Sequence, residues 1–188
     1  MVGDWTVPLR SVRRFDLSQN VLVSLSSSLQ LGGLESLSLS DNMIVDISDA
    51  ALQDLSSLSS LDLSYNKVST FPSVSGVREL SMSGNMIKKV DLTSLEGLPS
   101  LEVLHLTNMP VLQTLEPLSL MSCPQLTSLS LSSNRRLAPL PPGLFSTNPL
   151  LASLDLSNLQ WTSLHPDQLP PNPHRVVLSG KIINLIIN

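Results

Sequence analysis

Residues 34–42 read LESLSLSDN and residues 126–134 read LTSLSLSSN. Both fit one frame, Leu-x-x-Leu-x-Leu-x-x-Asn, and a frame shared by distant stretches has to be followed along the chain before any local structure is assigned. Eight copies can be laid down, starting at Val12, Leu34, Leu58, Val77, Leu101, Leu126, Leu151 and Pro173, at intervals of 22, 24, 19, 24, 25, 25 and 22 residues. The fourth position is Phe15, Leu37, Leu61, Leu80, Leu104, Leu129, Leu154 and Val176. The sixth is Leu17, Leu39, Leu63, Met82, Leu106, Leu131, Leu156 and Leu178, so both columns are apolar throughout. The ninth keeps asparagine at Asn20, Asn42, Asn66, Asn85 and Asn134, and reads Met109, Leu159 and Lys181 in the other units.

Each column has a physical reading. Alternation over the fourth, fifth and sixth positions predicts a short strand, with Leu61 and Leu63 turned inward and Asp62 outward. A unit this short cannot bury its apolar face alone, so units stack and their strands form a parallel sheet. At a spacing of about 4.8 Å, eight strands span roughly 35–40 Å. The asparagine column falls where the chain leaves the strand. Its amide can satisfy backbone groups that no ladder reaches, which makes the column structural. Beyond it, Ile44 and Ile47, Val68 and Phe71, Ile87 and Val90, and Trp161 and Leu164 continue the core. The return leg adds Leu52, Leu55, Leu95, Leu98, Leu120, Cys123 and Phe145. Cys123 aligns with Leu55 and Leu98, so it reads as a small buried hydrophobe.

These phased copies, over residues 12–179, resemble the leucine-rich-repeat family. The resemblance implies an α/β repeat fold, a horseshoe-shaped solenoid with one parallel β-sheet on the concave face and short turns or helical pieces on the convex side. A usual length near 24 residues and the run LPPGLF at 140–145 are similar to the subfamily common in extracellular animal receptors. The resemblance therefore implies a protein-binding module of a cell-surface or secreted receptor-like protein, located outside the cell or at the plasma membrane.

The pattern is uneven in places. The third unit has only 19 residues because its convex leg is missing, which should alter bend or twist there. Met109 and Leu159 lack the asparagine amide, so ladder continuity is in question at both. One extra residue in the fifth and sixth units moves the apolar pair to Leu112 and Leu115 and to Leu137 and Leu140. Residues 1–11 read as the return leg of an upstream unit, residues 12–180 as the repeats, and residues 181–188 as an atypical tail. After Gly180 the resemblance to the family's closing segment stops. Two readings stand side by side: a read-through past a splice-donor-like Gly-Lys junction, or a last coil with Ile183 and Ile186 in the apolar positions. Neither end offers a polar cap, so association through the ends is expected.

Composition narrows the function. Hydrophobic residues are 41% of the 188 but aromatics only 3%, so the core must be built from one repeated aliphatic shape. A net charge of −4, with the basic pairs Arg13-Arg14, Lys88-Lys89 and Arg135-Arg136 scattered, argues against nucleic acid. A single cysteine excludes an internal disulfide and a zinc site built on several thiolates. Residues 1–14 contain no signal-peptide core, and no run reaches the length of a membrane span, so this segment is not expected to insert in a membrane. No Asn-x-Ser/Thr sequon occurs either. Those features favour the alternative of an intracellular scaffold with a cytoplasmic location. A third reading is the regulatory repeat region of a larger enzyme.

Chemistry would have to sit on the outward columns. His105, Ser130 and Asp155 share the fifth position, but Ser130 lies between the other two, whereas a nucleophile triad needs the histidine in the middle. Asp16 and Asp62 are two strands apart and exposed, which suits no paired-carboxylate mechanism. His105, His165 and His174 lie on different parts of different coils, so no metal or cofactor is expected. The serine-rich seventh column reads as a small hydrogen-bonding layer. What remains is a mixed-charge binding face for a protein ligand: Arg14, Asp16, Asp62, Tyr65, Arg78, Glu79, His105, Asn108 and Asp155. Arginine and tyrosine are the commonest interface anchors, so Arg14, Tyr65 and Arg78 are the leading candidates within it.

Overall fold

A computed structural model describes residues 11–180 and the backbone of residues 184–185. Eight strands, Arg14–Asp16, Ser36–Ser38, Ser60–Asp62, Glu79–Ser81, Val103–His105, Ser128–Ser130, Ser153–Asp155 and Arg175–Val177, form one sheet in sequence order with every pair parallel. The register places equivalent residues opposite one another, Leu37 to Leu61 to Leu80 to Leu104 to Leu129 to Leu154. The molecule is a leucine-rich-repeat solenoid, and its core is one continuous aliphatic column built from the fourth and sixth positions and the return legs. The strands start one residue earlier than the sequence alternation suggested. They cover the third to fifth positions, and coil-to-coil bonds then continue through the eighth, as in Leu63 N–H to the Ser81 carbonyl (2.9 Å) and Tyr65 N–H to the Ser83 carbonyl (2.7 Å).

The turn off the strand has a conformational requirement. Strict alternation would send the eighth residue inward and the ninth outward. Gln19, Asp41, Tyr65, Asn108, Ser133 and Asn158 instead adopt a left-handed backbone, as do Gly84 (φ 72°) and Gly180 (φ 102°). One left-handed residue in each coil reverses the phase, so Tyr65 is exposed and Asn66 buried. Once inside, the asparagines clip coils together. Asn85 Nδ2 donates to the carbonyls of Leu63 (2.8 Å) and Met82 (2.9 Å), while its Oδ1 accepts the N–H of Val68 (2.9 Å). Asn42, Asn66 and Asn134 repeat the arrangement. Asn20 is exposed and, among the described residues, reaches only the carbonyls of its own turn, Leu17 and Ser18. Where Met109 and Leu159 stand instead, the main ladder continues unbroken, through Leu106 to Ser130 and Leu131 to Asp155.

A second, shorter ladder runs beyond the turn and is interrupted. It joins Ser24–Leu25 to Asp46–Ile47, Lys89–Val90 to Thr114–Leu115, and Ser163–Leu164 to Asn184–Leu185. The third coil contributes no strand there among the described residues. Its missing convex leg leaves a cleft of about 420 Å³ lined by Thr70, Phe71, Lys88, Lys89, Asp91 and Thr93. The sixth coil fails for another reason: Pro139, Pro141 and Pro142 have no N–H to give. Side chains of the seventh coil replace the lost backbone bonds. Trp161 Nε1 donates to the Leu137 carbonyl (2.7 Å) and Gln168 Nε2 to the Leu140 carbonyl (2.6 Å).

The convex side is mostly turns, with one turn of α-helix at Asp49–Leu52 and a 3₁₀ turn at Pro166–Gln168. No helix among the described residues is long and apolar enough to cross a membrane. Of the tail, Asn184–Leu185 pair with Ser163–Leu164, while Ile183 and Ile186 lie outside the described residues. Residues 1–10 of the segment read as an upstream return leg also lie outside them.

Cys123 is fully buried, and its Sγ faces the Leu98 carbonyl at 3.4 Å. Burial pushes the thiol up to about 12 from its ordinary 9.0, because the thiolate would lose its hydration. The folded protein should therefore resist a soluble disulfide reagent at pH 8 and react with one equivalent in guanidinium; rapid reaction of the native protein would contradict this. The linkage sign follows. The unfolded thiol ionises first, so this group draws stability down as pH climbs from about 9 toward 12.

Candidate functional site

The outward columns stand in register across the concave sheet. Asp16, Ser38, Asp62, Ser81, His105, Ser130, Asp155 and Val177 form the fifth-position row. Its three aspartates are partly committed to the chain itself. The Oδ1 atoms of Asp16, Asp62 and Asp155 each accept the N–H of the serine two residues on, at 2.9 Å in all three. The hydroxyl and N–H of Ser18 hold the exposed Asp16 carboxyl below its ordinary range. These Asp-x-Ser turns close the strands, a role visible in the repeated DLS triplets but not assigned from them.

The second-position row carries the basic residues into ion pairs. Arg13 meets Glu35 at 3.3 Å and Arg78 meets Glu102 at 3.4 Å, both largely solvent-exposed. Arg78 is therefore a paired rim residue, whereas Arg14 and Glu79 project from strands without an ion pair among the described residues. Exposed pairs of this kind contribute little stability and act mainly on encounter and register.

His105, Ser130 and Asp155 lie on three successive strands with serine in the middle. Ser130 Oγ donates to Asp155 Oδ2 at 3.4 Å, and the His105 imidazole has no hydrogen-bond partner among the described residues. No proton can pass from serine to histidine to carboxylate along that row. The described residues contain no cluster of three or more metal-ligating side chains.

The eighth-position row is built differently. Tyr65 (φ 55°) is the one aromatic residue in a left-handed column otherwise occupied by Gln, Asp, Gly, Asn and Ser. Its ring lies across Gly84, where a Cβ would stand 2.6 Å from Tyr65 Cδ1, and its hydroxyl reaches Asn108 Nδ2 at 3.4 Å. Half of the tyrosine surface stays in solvent. Farther along the row, Asn108, Ser133, Asn158 and Gly180 with Arg135 and Gln160 line an open cleft of about 310 Å³. The structure thus joins Tyr65 and Asn108 directly and leaves Arg14 and Asp155 at distant strands of the same face.

A residue missed in the sequence is Asn148, fully buried on the return leg. Its Nδ2 donates to the carbonyls of Leu120 (3.1 Å) and Cys123 (2.8 Å). It lies outside the nine-residue frame, and its only signal is an asparagine 25 residues after Cys123, at the place that the cysteine holds in the preceding coil.

Parallel coils, an inward amide ladder and ordered outward rows define a repeat solenoid of the protein-binding kind. The family models described as "Leucine rich repeat" and "Leucine Rich repeats (2 copies)" match residues 10–68 and 75–120. Together they cover more than half of the sequence, and the chain belongs to the leucine-rich-repeat family. No curated protein matches it. Among solved structures, a chain from the Toll–Spatzle complex, described as a molecular hub in Drosophila development and innate immunity, is similar with a TM-score of 0.72. That likeness is at 20% identity and covers 83% of this chain and 22% of that one, so it is a likeness of fold.

Proposed function

We propose that this chain is the ligand-binding part of a receptor-like protein at the cell surface or secreted from the cell, holding a protein ligand on its concave face. It supplies no catalysis of its own. The observation that carries the reading is Tyr65. A bulky side chain in the left-handed region costs about 1–2 kcal/mol relative to the residues that adopt it readily. Such strain is retained where the side chain is useful, and here it presents a half-exposed aromatic ring above the sheet. Receptor-type repeat length, the LPPGLF run and a structural neighbour taken from the Toll–Spatzle complex support the same reading.

Tyr65→Asn separates strain from recognition. Asparagine already occupies this position in the fifth and seventh coils, so the variant should match or exceed the parent in urea stability. The binding test places a photo-crosslinking residue at position 105 in cells making the parent polypeptide, with Met121 on the return leg as control. A protein adduct at 105 that falls at least tenfold with Tyr65→Asn is the expected result. No adduct, or one equally strong at 121, would remove the concave site. A polypeptide that impermeant biotin fails to label on intact cells, and that is missing from the medium, would remove the receptor assignment.

A further inference from the structure

The flank beyond the turn has a composition that the concave face does not explain. Positions ten and twelve point outward on either side of the buried eleventh residue, as Met43 and Val45 do around Ile44. Their coils are bonded in order, Met43 N–H to the Leu22 carbonyl, Lys67 N–H to Ile44 and Met86 N–H to Val68. In the first four coils the tenth column therefore reads Val21, Met43, Lys67, Met86 and the twelfth reads Val23, Val45, Ser69, Lys88. The five aliphatic and thioether side chains are between 41% and 76% exposed. Contiguous apolar surface of several hundred square ångströms is uncommon on a protein that meets only water.

The patch is bounded. In the next coils the exposed residues of this segment are Pro110, Gln113, Arg135, Arg136, Ala138, Gln160 and Thr162, and the one aliphatic side chain near them that is not buried, Val111, is only partly exposed. Its two ends also differ in the sign of their charge. Lys67 and Lys88 are exposed and in no ion pair among the described residues, in contrast to Lys89, which is held by Asp91 at 2.9 Å and Glu116 at 3.5 Å. Asp41 and Asp46 belong to the second coil, so the third and fourth coils form the cationic end.

We propose that this flank of the first four coils docks a second protein whose contact segment is aliphatic with carboxylates placed opposite Lys67 and Lys88. The valines and methionines supply the burial, with methionine adapting to an irregular partner. The two free ammonium groups select an acidic segment and reject a basic one, and they fix its direction along the coils. The proposal concerns a surface separate from the concave rows and does not depend on binding there.

A photo-crosslinking residue in place of Val45, in the full chain within the cells that produce it, tests the idea when the cross-linked peptide is sequenced. The expected contact segment carries aspartate or glutamate among aliphatic residues. The double variant Lys67→Glu with Lys88→Glu should cut the adduct at least tenfold while circular dichroism and the thermal midpoint stay unchanged. Lysine in place of the partner's carboxylates should restore it. An adduct with a second copy of this chain, a contact segment without acidic residues, indifference to the charge reversal, or no adduct at position 45 each overturns the proposal. Because position 105 is probed separately, failure of one surface is distinguishable from failure of the other.

Discussion

Asn85→Ala should cost about 2–5 kcal/mol in urea unfolding, since it leaves the Met82 carbonyl and the Val68 N–H unpaired in a dry interior, takes one of two donors from the Leu63 carbonyl, and each buried orphan costs roughly 1–3 kcal/mol. Neighbouring coils cannot compensate, because Asn66 is already bonded to the Leu39, Leu63 and Ser64 carbonyls. Asn20→Ala is the control. Its amide is exposed and, among the described residues, touches only its own turn, so the loss should stay below about 1 kcal/mol. Equal losses at the two positions would show that the ladder does not hold the coils together. Asn85→Asp sharpens the test: a carboxylate facing two carbonyls is unfavourable, its pKa rises on folding, and the deficit should shrink as the pH is lowered through that raised value.

Trp161→Ala should cost about 3–5 kcal/mol, the usual range for deleting a buried large aromatic side chain. The indole does two things at one coil junction. It fills the core beside Leu159 and Leu164, and it caps the Leu137 carbonyl in the coil whose prolines withhold backbone donors. Trp161→Phe keeps most of the volume and loses the donor, so it should recover part of the loss and leave about 1–3 kcal/mol for the orphaned carbonyl. Full recovery by phenylalanine in far-ultraviolet dichroism melts would mean the hydrogen bond contributes nothing.

The columns that repeat were readable in advance because stacking forces every coil to solve the same problem. Leu61 and Leu63 inward, Asp62 outward and the burial of Cys123 all follow from period two and alignment. Devices used once were not readable. The bond from Trp161 to Leu137 answers proline spacing one coil away, and Asn148 serves a return leg outside the repeating frame. The binding face was legible as rows but not as contacts. Arg78 looked like an anchor until its distance to Glu102 made it half of an ion pair, and the aspartate row looked free until Ser18, Ser64 and Ser157 were found bonded to it. Tyr65 stands out by composition, whereas its left-handed backbone is signalled only by the company of Gly84, Gly180, Asn108 and Asn158 in its column.

The two interruptions of the outer ladder have a mechanical meaning. The continuous concave sheet acts as the inextensible side of a curved beam, while on the opposite edge paired strands join neighbouring coils in only three places among the described residues. At the third and sixth coils that edge is joined by single bonds instead, such as Val74 N–H to the Gly97 carbonyl and Gln168 Nε2 to the Leu140 carbonyl, so bending stiffness should be lower there and those coils should act as flexures. A partner gripping the beam across either flexure meets a surface whose radius can adjust, whereas one seated on the first two, the fourth and fifth, or the last two coils meets a rigid tile. Hydrogen exchange should divide the outer edge along those lines, with slow amides at Ser48 and Glu116, bonded to the Leu25 and Val90 carbonyls, and fast ones at Thr70 and Leu140.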